Sequence, residues 1–308
     1  MGKLNAPVCI LVNGSNTGVP GCTFAPDKIV GAILVDKSFK IADADIPNIV
    51  AKFQEACLAA GKNRAYPIFR FEEIADNSED ETISTLGYGS KQVTKDGTYD
   101  WSFRMTNGLC FHNHLRGFNL ADKKVFFIDS NNYIFGTKVD GGMMGVSMDF
   151  FYAKPFKIND GSNATIFQVR FAMGKPSELN EFVAFVKSEV DVENNVKGII
   201  DLELFEIAKV AGKATIGIRT ACDKEDLYDT FDDLFADALV WACKKAGAPV
   251  VITGVVKNAA QKGWDVSFAG VGDHDISLVD AAALAAKNIG GAPDNGYEGN
   301  SVTVTMPA

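Results

Sequence analysis

The chain has 308 residues, 47% of them hydrophobic and 22% charged, which supplies the apolar mass for a packed core and the length for two domains. Its formal net charge is −9, with no Lys/Arg run, and this argues against a surface that tracks phosphates and against sequence-specific nucleic-acid binding. No apolar run approaches the ~18 residues that would span a bilayer, so no membrane partner is expected.

The first residues carry no secretory signal, because the apolar run Val8–Val12 is too short for one. Gly2 follows Met1, but Ala6 stands where a myristoylation signal needs Ser or Thr. Val8–Val12 reads as a strand and Asn13–Gly18 as a Gly-rich loop. The loop lacks the spacing of a dinucleotide or phosphate-binding turn, and no helix opens directly after it. Ile29–Val35 reads as a second strand. Asp45 can cap a helix with Pro47 in its first turn, the apolar residues Ile46 to Leu58 fall near helical spacing, and Gly61 ends it. Tyr66–Phe71 returns as one strand, followed by an acidic loop at Asp76–Glu81.

The middle of the chain is a series of strands: Tyr99–Met105, Lys124–Ile128, Tyr133–Val139, Ser147–Tyr152 and Ala164–Met173. Asp129-Ser-Asn-Asn132 offers turn residues between two of them, and Asp96-Gly97 supplies a positive φ. In Thr165–Met173, Phe167, Val169, Phe171 and Met173 alternate with Gln168 and Arg170, which gives one buried and one wet face. Ser177 opens a helix that runs to Lys187, and a polar link, Glu189–Lys197, carries the domain boundary near residue 190.

Beyond the link come strands at Gly198–Ile207 and Ala214–Arg219, then an amphipathic helix over Leu227–Ala246 with Gly247 as its stop. Val250–Val256 and Trp264–Phe268 follow as a hairpin, and Ser301–Thr305 is a last alternating strand. The expected fold is mixed and mainly β. Residues 1–190 form a β-sandwich or barrel-like domain with flanking helices, and residues 191–308 form a β-sandwich carrying an inserted helix.

Candidate chemistry is sparse. Cys110, His112 and His114 would share one face of a strand and could hold zinc, but Cys-x-His-x-His is a weak metal spacing, and no metal, catalytic residue or cofactor is expected. His274, between Asp273 and Asp275, reads as a loop residue. Asp223, Asp226, Asp229, Asp232, Asp233 and Asp237 lack the pattern of a calcium loop and read as the solvated face of the Leu227–Ala246 helix. Cysteines 9, 22, 57, 110, 222 and 243 form no C-x-x-C pair and read as buried or idle thiols.

The stretches Thr82–Ser90, Gly97–Phe103, Gly108–Asn119, Phe127–Ser130 and Phe135–Val139 resemble virion structural proteins of tailed bacteriophages. They are most similar to a tail-tube or ring-forming component, and the C-terminal part, notably Val250–Phe268, is similar to an immunoglobulin-like domain. The resemblance implies a non-enzymatic subunit located in the virion, whose partners are copies of itself in a homo-oligomeric ring or tube and other virion proteins. Alternatives are a phage head, connector or decoration protein, or a cell-surface or carbohydrate-binding β-module. The long segments Glu72–Thr98 and Asp140–Gly145 exceed what a hairpin needs. Asp140, Gly141, Gly142 and Gly145 are the expected assembly loop, with Gly136 and these glycines keeping it mobile until a neighbour orders it.

Overall fold

The computed structural model describes residues 25–159, 161, 165–291 and 294–307. The expected strand Val8–Val12, the loop Asn13–Gly18, Cys9 and Cys22 lie outside the described residues. The protein is mainly β, 49% strand and 19% helix, with curled sheets that form half-barrels. The chain divides into two compact units. The first is Met1–Ala56 with Gly61–Val196, and the second is Cys57–Ala60 with Lys197–Ala308.

In the first unit the chain runs β1 (Ile29–Asp36), β2 (Lys40–Ala42), a 3-10 turn at Asp43–Asn48, α1 (Ile49–Leu58), β3 (Tyr66–Phe69) and β4 (Phe71–Asp76). It continues with β5 (Thr82–Thr85), β6 (Lys91–Lys95), β7 (Asp100–Met105), α2 (Gly108–Arg116), β8 (Lys123–Asp129), β9 (Tyr133–Val139) and β10 (Gly142–Met144). Last come β11 (Val146–Ala153), β12 (Phe167–Met173), α3 (Ser177–Asn180), β13 (Val183–Lys187) and α4 (Val192–Asn195).

The central strand is β8. One edge pairs with β1, and the other is shared, Phe127 and Ile128 with β9, Lys124 and Val125 with β11. The sheet therefore forks. One arm runs through β9 to β10, β2 and β13, the other through β11 to β12, β7 and β4. Val-Phe-Phe-Ile in β8 does not alternate because both of its faces are covered. Phe127 lies among Trp101, Phe135 and Phe171 at 5.2–5.6 Å between ring centroids, while Phe126 meets Phe53 of α1 at 5.0 Å on the opposite face. The inward residues of β12, Val169, Phe171 and Met173, are buried. On its outer face Arg170 donates from Nε and Nη2 to the carboxylate of Asp100 on β7. Asp129, also buried, accepts backbone N–H groups from Asp27, Asn131 and Tyr133 and so fixes the β8–β9 turn, where Asn132 takes φ +62°.

Two sequence expectations fail here. Tyr66–Phe71 is not one strand. Arg70 takes φ +65°, and the chain changes partner there, from β1 on one side to β7 on the other. The helix from Ser177 to Lys187 stops after one turn. Val183–Lys187 instead pairs with Thr137–Tyr133 of β9, because its β-branched and aromatic residues bury Ala184, Phe185 and Val186 against the sheet.

The second unit is a two-sheet sandwich. Its elements are β14 (Ile199–Val210), β15 (Lys213–Thr220), α5 (Tyr228–Phe231), β16 (Trp241–Lys245), β17 (Ala248–Val250), β18 (Ile252–Asn258), β19 (Gly263–Phe268), β20 (Gly272–Leu278), α6 (Ala281–Ala285), β21 (Gly296–Gly299) and β22 (Val302–Met306). One sheet has the order β18-β19-β15-β14-β21, the other β17-β16-β20-β22. Leu204, Ile216, Trp241, Trp264, Ile276 and Val304 meet between them.

The long helix expected over Leu227–Ala246 is absent. Four residues of α5 pass into 3-10 turns at Asp232–Ala236 and Ala238–Val240, and then into β16. Asp237 breaks the helical path. It is extended, its carboxylate accepts the Leu239 N–H at 2.9 Å, and Lys287 Nζ donates to it at 2.9 Å. Trp241 Nε1 donates to the Phe235 carbonyl at 2.8 Å, which ties the irregular segment to the strand that follows. Short turns deliver Tyr228, Phe231, Phe235 and Trp241 to a core that a straight helix stripe would reach only along one line.

Candidate assembly surface

The helix α2 separates the three residues that an extended chain would have aligned. Residues one turn apart share a helix face, so Cys110 and His114 lie together, their ligand atoms within 4.8 Å, while His112 points elsewhere. His112 is buried, its Nε2 donates to the Lys154 carbonyl at 2.6 Å, and its ring lies 5.3 Å from Phe167. Cys110 and Cys222 are each disulfide-bonded, while Cys57 and Cys243 are free and buried. The reading of idle thiols is therefore corrected for Cys110 and Cys222, and Cys110 has no thiolate to offer a metal. His274 is a strand residue of β20, buried, with Nδ1 donating to the Gly272 carbonyl at 2.9 Å. Its neighbours Asp273 and Asp275 accept from Thr305 and Thr303 of β22 on the outer face. Strand alternation sends the histidine in and the aspartates out, a pattern that three polar residues in a row hid.

The expected mobile loop Asp140–Gly145 is a closed hairpin. Only Asp140 and Gly141 at its tip are exposed; Gly142 and Gly145 are buried. Gly142 sits opposite Ala42 of β2, and a Cβ there would stand 2.1 Å from the Ile41 carbonyl oxygen. A Cβ at Gly136 would stand 2.3 Å from the Met144 carbonyl oxygen, and one at Gly145 2.8 Å from Val125 N. These glycines let three backbone segments approach closely. They do not confer mobility, and only the tip is placed to touch a neighbour.

The other long segment, Glu72–Thr98, behaves differently. It holds β5 and β6, which pair with each other and with no other strand among the described residues. Opposite positions Ile83 and Val93 share one face of this hairpin and are 51% and 49% exposed. The tip is closed by Leu86 N–H to Ser90 O and Gly89 N–H to Leu86 O, both 2.8 Å, with Gly89 at φ +79°. It holds up Tyr88, whose side chain has no cover at all, beside Leu86 at 47% exposure. The base is pinned. Lys95 donates to Glu79 at 2.6 Å, which lowers the Glu79 pKa, and Glu79 and Thr98 exchange backbone hydrogen bonds. Below it, β4 pairs with β7 on one edge only among the described residues and shows Ile74 on its surface. Thr82–Lys95 is thus an arm standing outside the core of its unit.

In the second unit, the β14–β21 end carries a concavity of about 390 Å³ lined by Asp201, Glu203, Lys224, Glu298, Asn300 and Leu202. Asp201 and Glu298 are register partners in a parallel pair. Glu203 is held by two cations. Arg219 donates to it through Nε and Nη2 at 2.9 and 3.0 Å and Lys224 through Nζ, so its pKa falls to about 2. The Arg219 guanidinium lies 4.7 Å from the centre of the Phe205 ring.

Among the described residues no helix is long and apolar enough to cross a membrane. Neither a family model nor a curated protein matches this chain, so the residues above carry the functional argument alone.

Proposed function

We propose that this chain is a non-enzymatic structural subunit that assembles with copies of itself into a homo-oligomeric ring or tube, as a tail-tube component of a tailed-phage virion does, alongside other virion proteins. The observation that carries this reading is the β5–β6 arm. A two-stranded hairpin is marginal in water by itself, and this one exposes Ile83, Leu86, Tyr88 and Val93 together. Exposed apolar groups gathered on one projection mark an interaction site. Beside it, the edge of β4 that no strand covers among the described residues adds backbone donors and acceptors that a neighbouring strand can satisfy.

Sedimentation velocity with negative-stain imaging tests the proposal. The full chain is expected to form rings or tubes as concentration rises. A variant in which a short Gly-Ser turn replaces Thr82–Lys95 is expected to melt at the same temperature and to remain monomeric. A full chain that stays monomeric at every concentration would sink the proposal.

A further inference from the structure

We propose that β6 of one copy adds to the uncovered edge of β4 in the next copy, antiparallel and with Val93 opposite Ile74, so that one sheet runs on from subunit to subunit. This rests on the assembly reading above and names the two strands that meet. The first argument is topology. β4 and β5 follow one another along one side of a ribbon, and β6 and β7 along the other. Between the two pairs, the Asn77 N–H donates to the Asp100 carbonyl at 2.7 Å, and Glu79 bridges Thr98. On the β7 side the ribbon is covered by β12 as far as Tyr99, whose carbonyl accepts the Met173 N–H. Beyond that point β6 has a free edge among the described residues, and β4 has one on the opposite side of the ribbon. The two edges face away from each other within a chain. Between chains they make a heterologous contact, which closes into a ring or winds into a tube. Copies that face the same way set β4, running toward the arm tip, against β6, running away from it, which is antiparallel pairing.

The second argument is the order of side chains. Ile74 and Asp76 share one face of β4, and Lys91 and Val93 share one face of β6, because strand side chains repeat every two residues. With Val93 opposite Ile74, two half-exposed apolar side chains cover each other, and Lys91 lies opposite Asp76. Both charged residues are exposed. Lys95 is held by Glu79 of its own arm, so Lys91 is the cation the arm offers. Asp76 Oδ1 accepts the Ser78 N–H at 3.0 Å, which steadies the carboxylate and leaves Oδ2 for the lysine. The same residues disfavour the symmetric alternatives. β4 laid antiparallel on another β4 about Ile74 puts Glu72 opposite Asp76, and β6 on β6 about Val93 puts Lys91 opposite Lys95. Both arrangements repel. Of the three pairings, β6 on β4 alone sets opposite charges side by side.

Charge reversal and cross-linking test it on the full chain, with folding checked by circular dichroism. Lys91→Glu or Asp76→Lys alone is expected to raise the concentration for half-assembly by roughly five- to tenfold. The two variants mixed in equal amounts are expected to recover assembly, since each arm then finds an edge of opposite charge. Lys91→Glu combined with Asp76→Lys in one chain is expected to recover it for the same reason. Ile74→Cys combined with Val93→Cys is expected to give a covalent ladder on a non-reducing gel after mild oxidation, because opposite residues of an antiparallel pair lie within disulfide reach. Either cysteine change alone is expected to give none. If the unchanged chain assembles, the reversed variants assemble like it and the combined Ile74→Cys and Val93→Cys variant gives no ladder, the β6–β4 pairing is overturned and the assembly reading stands. A cross-linked dimer from Ile74→Cys alone would overturn it in favour of β4 on β4. An unchanged chain that stays monomeric overturns both readings.

Discussion

At the scale of single residues, the ion pairs matter most where the cationic partners are fixed. Glu203 holds Arg219 and Lys224 at once and has its pKa lowered to about 2 from an ordinary 4.5. A carboxylate with a depressed folded pKa stabilises the protein fully above its unfolded value and loses that contribution as pH falls through the folded one. The window is therefore between about 4.5 and about 2. Thermal melts of Glu203→Gln are expected to lie below those of the unchanged chain at pH 6 and to converge with them near pH 2. A gap that is the same at both pH values would remove Glu203 from the account. No pairing of Glu203 with Arg219 was legible in the chain, because the two are joined only by the register of β14 against β15.

At the scale of elements, the alternating strands and the helix α1 were legible, while β13 and β16 lay in segments whose spacing suggested helix. The β12 pattern, apolar and polar by turns, declares one covered face, and Asp129–Asn132 declares a turn. The stripe from Phe231 to Ala242 satisfied helical spacing but unfolded into turns and a strand, because Asp237 and the packing of Trp241 outweigh a weak local preference. The same holds for glycine. In Asp140–Gly145 the run of glycines suggested a flexible loop, whereas the hairpin uses them where backbones nearly touch. Gly142→Ala is therefore expected to cost about 1–3 kcal/mol in urea unfolding, since the Ile41 carbonyl must move to admit a methyl group. A variant as stable as the parent would restore the flexible-loop reading. Conversely Glu72–Thr98, whose length alone stood out, proves to be the segment with a structured, exposed hairpin. Its pairing was hidden by a bulge between Thr82 and Ile83 and by weak alternation.

At the scale of the molecule, acidity decides what the surfaces meet. With a net charge of −9, the chain has no excess of cations to release counterions from a phosphate backbone. Duplex DNA is expected to run unretarded beside the protein in a gel at physiological salt, assembled or not. A retarded band would mean a local basic surface strong enough to override the net charge. Each unit has its own core, one organised around β8 and the other between the two sheets of the sandwich. The boundary after Val196 falls in the polar link, and the helical turn α4 sits within that link, with Asp191 accepting the Asn194 N–H as its cap.

The sequence by itself determined that this is a mainly β protein with enough apolar mass for two cores, an acidic surface and strands whose faces can be read from alternation. Period-2 patterning and turn chemistry are local, so they survive in the chain as text. Only the tertiary structure decided which segments are sheet and which merely look helical, that Cys110, His112 and His114 do not converge, that the glycines of Asp140–Gly145 are packed, and that Thr82–Lys95 stands free of its core. Each of these depends on which distant backbone lies alongside, and contacts between distant residues leave no period in the sequence.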